Sequence, residues 1–195
     1  LIIKFLLAIV AVSALFLGVR FYLNHTKLIA KTGGTYTEGM VGEPKYINPV
    51  LADASDIDRS ITTFVFRGLM KFDKNLDLQP DIAESYEKSE DGKQYTFHLR
   101  KDQKWHDHDK QDGLDKVVTA DDVVFTFKSI QNKEYNSPIR ANFNGVNVDK
   151  VDDFTVKFAL DDNFTPFLVN TTVGILPKHI WEAIPATNIG LAEVN

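Results

Sequence analysis

No cysteine occurs anywhere in the chain. That absence excludes disulfides, thiolate metal sites and a lipid-modified cysteine anchor within these residues, and it removes cysteine usage as a guide to redox compartment. Clusters of lysine and arginine are also missing, and the formal net charge is −5. Nucleic-acid binding draws most of its affinity from phosphate neutralisation and counterion release, so that partner class is excluded. There is no G-x-S-x-G elbow and no glycine-rich phosphate loop. Hydrolase and nucleotide chemistry therefore have no local signature, and no residue is assigned a catalytic role. No internal repeat or low-complexity tract is visible.

What is present is the composition of a globular chain. Hydrophobic residues make up 44% and charged residues 25%, with 14 Phe among 195 residues, which is too apolar for a disordered segment. Setting aside an apolar N-terminal stretch leaves roughly 165 to 170 residues, enough to bury one core. The chain opens on Leu1 and runs out at Glu193-Val194-Asn195 without a terminating signal, and it reads as a fragment.

One long hydrophobic run stands at the N-terminus. Phe5 to Val19 is free of charge, bounded by Lys4 and Arg20, and continues into Phe21-Tyr22-Leu23. With Lys4 and Arg20 snorkelling, residues 1–23 reach the roughly 20 needed to cross a bilayer as a helix. A cleaved signal peptide is the rival reading, but Val12-Ser13-Ala14 is a poor cleavage site because Leu15-Phe16-Leu17 prolongs the apolar run. Either reading exports the rest of the chain. Arg20, Lys27 and Lys31 lie on the side that the export reading places outside, against the positive-inside rule. Residues 24–32 read as a polar linker.

Beyond the linker the pattern alternates between strand and helix signals. Thr35 to Gly39 is expected as a first strand, and Gly42-Glu43-Pro44 as a turn into Tyr46-Ile47-Asn48-Pro49. Ser55 or Asp56 caps a helix whose packed face is expected to hold Ile57, Ile61, Phe64, Val65 and Leu69, with Gly68 near its end. Pro80 to Glu84 reads as a short turn or helix. Tyr86–Ser89 and Gln94–Arg100 flank the turn Glu90-Asp91-Gly92-Lys93 as a hairpin, with Tyr95, Phe97 and Leu99 facing inward. Thr119 and Asp122 form an acidic capping box opening a helix through Val123, Val124, Phe127 and Ile130. A second hairpin pairs Val146–Val151 with Thr155–Leu160.

Candidate chemistry is sparse. His98, His106, Asp107, His108 and Asp109 carry atoms suited to zinc or nickel, but strand alternation separates their faces and a polar loop needs no ligand to be polar. Asp107, Asp109, Asp112 and Gly113 resemble a calcium loop with the third ligand and the glycine misplaced. No metal site and no cofactor is assigned. Trp105 reads as a core or hairpin anchor, and Asp121-Asp122 as helix N-terminal acids.

The succession of segments resembles the family 5 extracellular solute-binding proteins, the oligopeptide, dipeptide and nickel receptors of ABC importers. The pieces that carry the resemblance are Gly34-Thr35-Tyr36, Glu43-Pro44 with Asn48-Pro49, Phe66-Arg67-Gly68-Leu69, Pro80 to Tyr86, Tyr95 to Arg100, Trp105-His106-Asp107, Val118 to Phe125, Ser137-Pro138 and Ile175 to His179. No single piece is decisive, but their order is specific.

The resemblance implies an α/β, class II periplasmic-binding-protein-like fold of two lobes, held here only in part. It assigns 33–66 to the first lobe, 67–176 to an extra mixed α/β domain and 177–195 to a return into the first lobe. It implies that the strip Asp53, Ala54 and Ser55 lines the cleft and pairs its main chain with an extended peptide, or holds a related small solute. Where such receptors present a Tyr after Ser137-Pro138, this chain has Ile139, which puts that contact in doubt. The loop between Asp107 and Val118 is longer than the family's usual turn. The implied partner is an ABC transporter permease, at the outer face of the cytoplasmic membrane or in the periplasm. Two other readings stay open: a membrane-anchored metal-dependent hydrolase using the His/Asp loop, and a sensor derivative that kept the fold without transport.

Overall fold

The first two long helices form for opposite physical reasons, one being apolar all round and the other capped and amphipathic. The computed structural model describes residues 2–25, 33–108 and 115–191, divided between a unit of Leu1–Gly39 and a unit of Met40–Asn195.

In the first unit α1 spans Ile2–His25. The 21 residues Ile3–Leu23 are long and apolar enough to cross a membrane by length and composition; at 1.5 Å per residue they cover about 32 Å. The helix has no polar face to turn towards water. Residues 24–32 were expected as a linker, and 26–32 of them lie outside the described residues. The strand expected at Thr35–Gly39 does not form, for residues 33–40 carry no regular structure. A strand is stable only when its backbone groups find a ladder, and no strand among the described residues pairs there.

The second unit holds everything else. α2 covers Asp56–Val65, and the Ser55 hydroxyl accepts from the Asp58 amide at 3.4 Å as its N-cap. The helix stops before Phe66, so Leu69 lies beyond it. Its buried positions are Asp58 and Thr62, whereas Phe64 is 85% and Val65 59% exposed, the reverse of the expected apolar packing. The inversion has a local cause: the Asp58 carboxylate accepts from the amides of Lys45 at 2.8 Å and Tyr46 at 3.2 Å, which draws the polar side of the helix against its own lead-in.

β1 (Met70–Phe72) and β2 (Leu78–Pro80) pair as a short antiparallel ribbon. β3 (Ala83–Lys88) then begins where a turn or helix was expected. A bulge between Ala83 and Ser85 breaks its alternation, which hides the strand's first residues, ahead of the expected hairpin strand from Tyr86, from a period-two search. Gly68 sits at the crossing before β1, where a Cβ would come within 2.5 Å of the Thr172 carbonyl oxygen.

β3 pairs with β4 (Gln94–Leu99), and β7 (Val146–Asp152) with β8 (Thr155–Leu160), as the two expected hairpins. The hairpins join through β4 and β8 into one antiparallel sheet of order β3-β4-β8-β7. The register sets Tyr95 opposite Phe158 and Phe97 opposite Val156, all four buried. β5 (Lys104–His108) and β6 (Asp115–Val117) form a separate ribbon.

α3 (Ala120–Gln131) lies on the inner face of the four-stranded sheet. Phe127 meets Phe158 edge-on at 4.9 Å, Phe97 meets Phe158 at 5.6 Å and Tyr95 meets Phe167, the first residue of the short helix α4 (Phe167–Asn170), at 4.8 Å. Each such ring contributes on the order of 2 kcal/mol by leaving water. Asp122 supplies the capping box: it accepts from the Thr119 amide at 2.9 Å and also from the Lys178 amide at 2.8 Å, tying α3 to the start of the short helix α5 (Lys178–Trp181). Trp105 packs against the core and its indole N–H reaches Asp122 at 3.5 Å, the anchor role expected of it.

Candidate functional site

Three stretches distant in sequence build one cavity of about 330 Å³. The first is the turn that precedes α2. Asn48 organises it by accepting from the Val50 amide at 2.8 Å through its side chain and from the amides of Leu51 and Ala52 through its carbonyl. The chain then tightens into a 3-10 turn, Ala52–Ala54, before Ser55 caps the helix. The second stretch follows Ser137 and carries Ile139 into a 3-10 turn at Arg140–Phe143. The third is Val169–Gly174. Gly174 is required there, since a Cβ would meet the Phe66 Cβ at 2.5 Å and the Pro49 Cβ at 3.2 Å.

Side-chain bonds hold the stretches to one another. The buried Ser137 hydroxyl donates to the Val50 carbonyl at 2.6 Å, and the Asn170 amide donates to the Asn142 carbonyl at 3.3 Å. Wet clefts lined by apolar groups with a few placed polar atoms are the usual form of small-ligand sites.

Of the residues singled out in the sequence, Asp53 and Ile139 both line this cavity. Ala54 is exposed on the turn beside it. Ser55 is committed elsewhere: its hydroxyl caps α2, its amide donates to the Ala52 carbonyl at 3.1 Å and its carbonyl accepts from the Arg59 amide. Sequence reasoning missed Arg59, Thr62, Phe66, Asn142 and Asn170, which also line the cavity. Nothing local marks them, because the wall exists only once three separated stretches meet.

Charge concentrates at Arg59. Its guanidinium donates to the Asp53 carboxylate at 3.0 Å and also binds Asp56. The Asp53 hydrogen bond and then its charge hold the Arg59 guanidinium above its ordinary pKa.

Of the His/Asp candidates, only His98 and His106 have side chains among the described residues. His98 faces Glu87 at 3.5 Å from the outer side of β4. Among the described residues no group of three or more His, Asp or Glu is placed to hold a metal. Asp109, Asp112 and Gly113 lie outside the described residues.

Residues 77–188 match the profile of the bacterial extracellular solute-binding proteins, family 5, Middle. The chain belongs to the family 5 solute-binding proteins.

Among its relatives, the dipeptide-binding protein of Escherichia coli is 35% identical over 159 residues, covering 73% of this chain and 30% of that protein. Oligopeptide-binding AppA from Bacillus subtilis, solved with a nonapeptide, superposes with a TM-score of 0.70 at 29% identity over 80% of this chain and 30% of its own. NikZ from Campylobacter jejuni, solved with Ni(L-His), gives 0.67 at 34% identity over 79% and 29%. The chain therefore spans about three tenths of the length of the relatives it matches. The structural neighbours are periplasmic binding proteins of α/β fold, and family 5 members are extracytoplasmic binding proteins of ABC importers rather than enzymes.

Proposed function

We propose that this chain is part of an extracytoplasmic receptor that captures a peptide, or a related small solute, and delivers it to an ABC transporter permease. The observation that carries the reading is the meeting of Asp53 and Ile139, far apart in sequence, in the walls of one cavity. Of the strip Asp53, Ala54 and Ser55, the first two offer their edge to the guest's main chain while Ser55 caps α2 behind them, and Ile139 packs against the groups which that main chain carries. Main-chain pairing suits varied guests because the backbone is common to all of them, while water fills whatever the side chains leave.

In this reading 33–66 and 177–195 belong to one lobe, 67–176 to an added domain, and a second lobe closes over the guest. Affinity comes from enclosure, and no step of chemistry is needed. Residues 1–23 hold the receptor at the outer face of the membrane or direct its export, and 24–32 tether it. The names of the relatives support peptides first and leave room for smaller solutes, since one of them was solved with Ni(L-His).

Titration calorimetry of the full-length protein with pooled short peptides tests the proposal. Binding heat together with a rise in unfolding temperature supports it. Neither heat nor thermal shift overturns it in favour of a ligand-free derivative.

A further inference from the structure

α2 meets the rest of its unit on two sides and leaves a third bare. Asp58 and Thr62 are buried, and Arg59, Thr62 and Thr63 line the candidate cavity. With 3.6 residues per turn, Ile57, Ile61, Phe64 and Val65 fall within about 100° of arc, on the side turned away from Arg59 and Thr63. No polar residue of the helix falls inside that arc. Ile57 and Ile61 are half-buried, whereas Phe64 is 85% and Val65 59% exposed. A Cβ on Gly42 would run into the Ile57 side chain, so the backbone there lies against one end of the stripe, and the neighbouring Met40 and Val41 are exposed as well.

Each possible cover makes its own demand. A lipid surface favours a helix whose polar side is rich in Lys and Arg, and α2 carries Asp56 and Asp58 with Arg59 instead. A second copy would meet this face through a helix of 10 residues. Such a helix is about 15 Å long and 10 Å wide, far short of the roughly 800 Å² per partner that a stable dimer buries. A permease that docks and lets go calls for a more polar surface. A second layer of the same lobe makes none of these demands, since an apolar stripe is what a helix presents to a core. The chain spans about three tenths of the length of the relatives it matches, so a receptor of that size has most of its polypeptide left to supply such a layer.

We infer that the face of α2 formed by Ile57, Ile61, Phe64 and Val65 is an internal packing face of the full-length receptor, covered by a part of the same polypeptide outside these 195 residues. The inference rests on the receptor reading and adds to it the surface by which this part joins the remainder. α2 then stands as a partition, with the interior of the lobe on one side and the cavity holding Asp53 and Arg59 on the other.

Thiol labelling of the full-length receptor tests it, because these residues contain no cysteine and an introduced one reports on a single position. Without peptide, Phe64→Cys is expected to react with a maleimide at least about tenfold more slowly than Lys74→Cys, with the unsubstituted receptor as blank. Lys74 stands exposed in the turn between β1 and β2. The two should react alike in denaturant. Val65→Cys carries the same expectation if Phe64→Cys does not fold. A smaller difference at both positions overturns the inference. So does protection that is lost on dilution, which identifies a second copy, or that appears only when lipid or the permease is added. Peptide calorimetry is read separately: protected thiols without peptide binding overturn capture alone, and peptide binding with freely reacting thiols overturns this inference alone.

Discussion

The Ser137 hydroxyl donates to the Val50 carbonyl at 2.6 Å across 87 residues of sequence, and both groups are buried. This bond fastens the stretch that carries Ile139 to the turn that carries Asp53, two of the three stretches that wall the candidate site. Ser137→Ala leaves the Val50 carbonyl buried without this donor. The expected cost is about 1 to 3 kcal/mol of stability, measured by thermal or denaturant unfolding. An unchanged midpoint would show that the walls are held by packing alone.

Asp122 gathers a second long-range set. It accepts from the amides of Thr119 and Lys178 and receives the Trp105 indole at longer range. Asp122→Ala removes the capping box and orphans the start of α5 in one substitution, for an expected loss of about 2 kcal/mol or more in denaturant unfolding. Asp121→Ala makes the contrast. That side chain is 47% exposed and its partner is the Lys150 ammonium at 2.6 Å, so its loss is expected to cost no more than about 1 kcal/mol.

The pH dependence should be governed in part by Asp81. Its side chain is 5% exposed and pairs with Arg67 and, at 3.1 Å, with Lys71, while its carbonyl accepts from Arg100 Nε at 2.9 Å. Burial alone would raise this carboxyl, but the hydrogen bonds and charges of Arg67 and Lys71 together outweigh burial and hold it below its ordinary value. A depressed folded pKa means that the unfolded chain takes the proton first. The contribution is therefore complete above about pH 4 and is lost as the pH falls through the folded pKa. Asp81→Asn should lower stability at pH 7 by about 1 to 2 kcal/mol, discounted because Arg67 and Lys71 are half exposed, and should flatten the acid limb of a stability-against-pH curve. An acid limb of unchanged slope would assign the acid sensitivity to other carboxylates.

The sheet was legible in the sequence because both hairpins carry strict alternation. Tyr95, Phe97 and Leu99, then Val156, Phe158 and Leu160, are buried in turn while their neighbours are not. The capping box of α3 was legible for the same reason, since a cap is a contact three residues long. What escaped was whatever depends on distant partners. The bulge at Ala83/Ser85 concealed the start of β3, whose later part was legible as the hairpin strand from Tyr86. α2 showed helical spacing of apolar residues, but which side it buries was decided by the Asp58 bonds to Lys45 and Tyr46. The cavity itself needs Val50 bonded to Ser137 and Asn142 bonded to Asn170, and no local pattern encodes such pairs.

Residues Asp53 and Ile139 could be named in advance only through the family resemblance. Arg59 and Thr62 stand about one turn apart on α2 and could have been sought from the expected helix, because both line the cavity beside the turn that carries Asp53.

The central claim is that the cavity shared by Asp53 and Ile139 receives the guest. Ile139→Trp in the full-length receptor tests it most directly, because the indole fills the cavity from a partly exposed position without breaking a hydrogen bond of the fold. For a peptide that the wild type binds, the account predicts a loss of affinity of about tenfold or more in calorimetry, with an unfolding temperature within about 2 °C of the wild type. A folded Ile139→Trp receptor that binds the same peptide with unchanged Kd would contradict it.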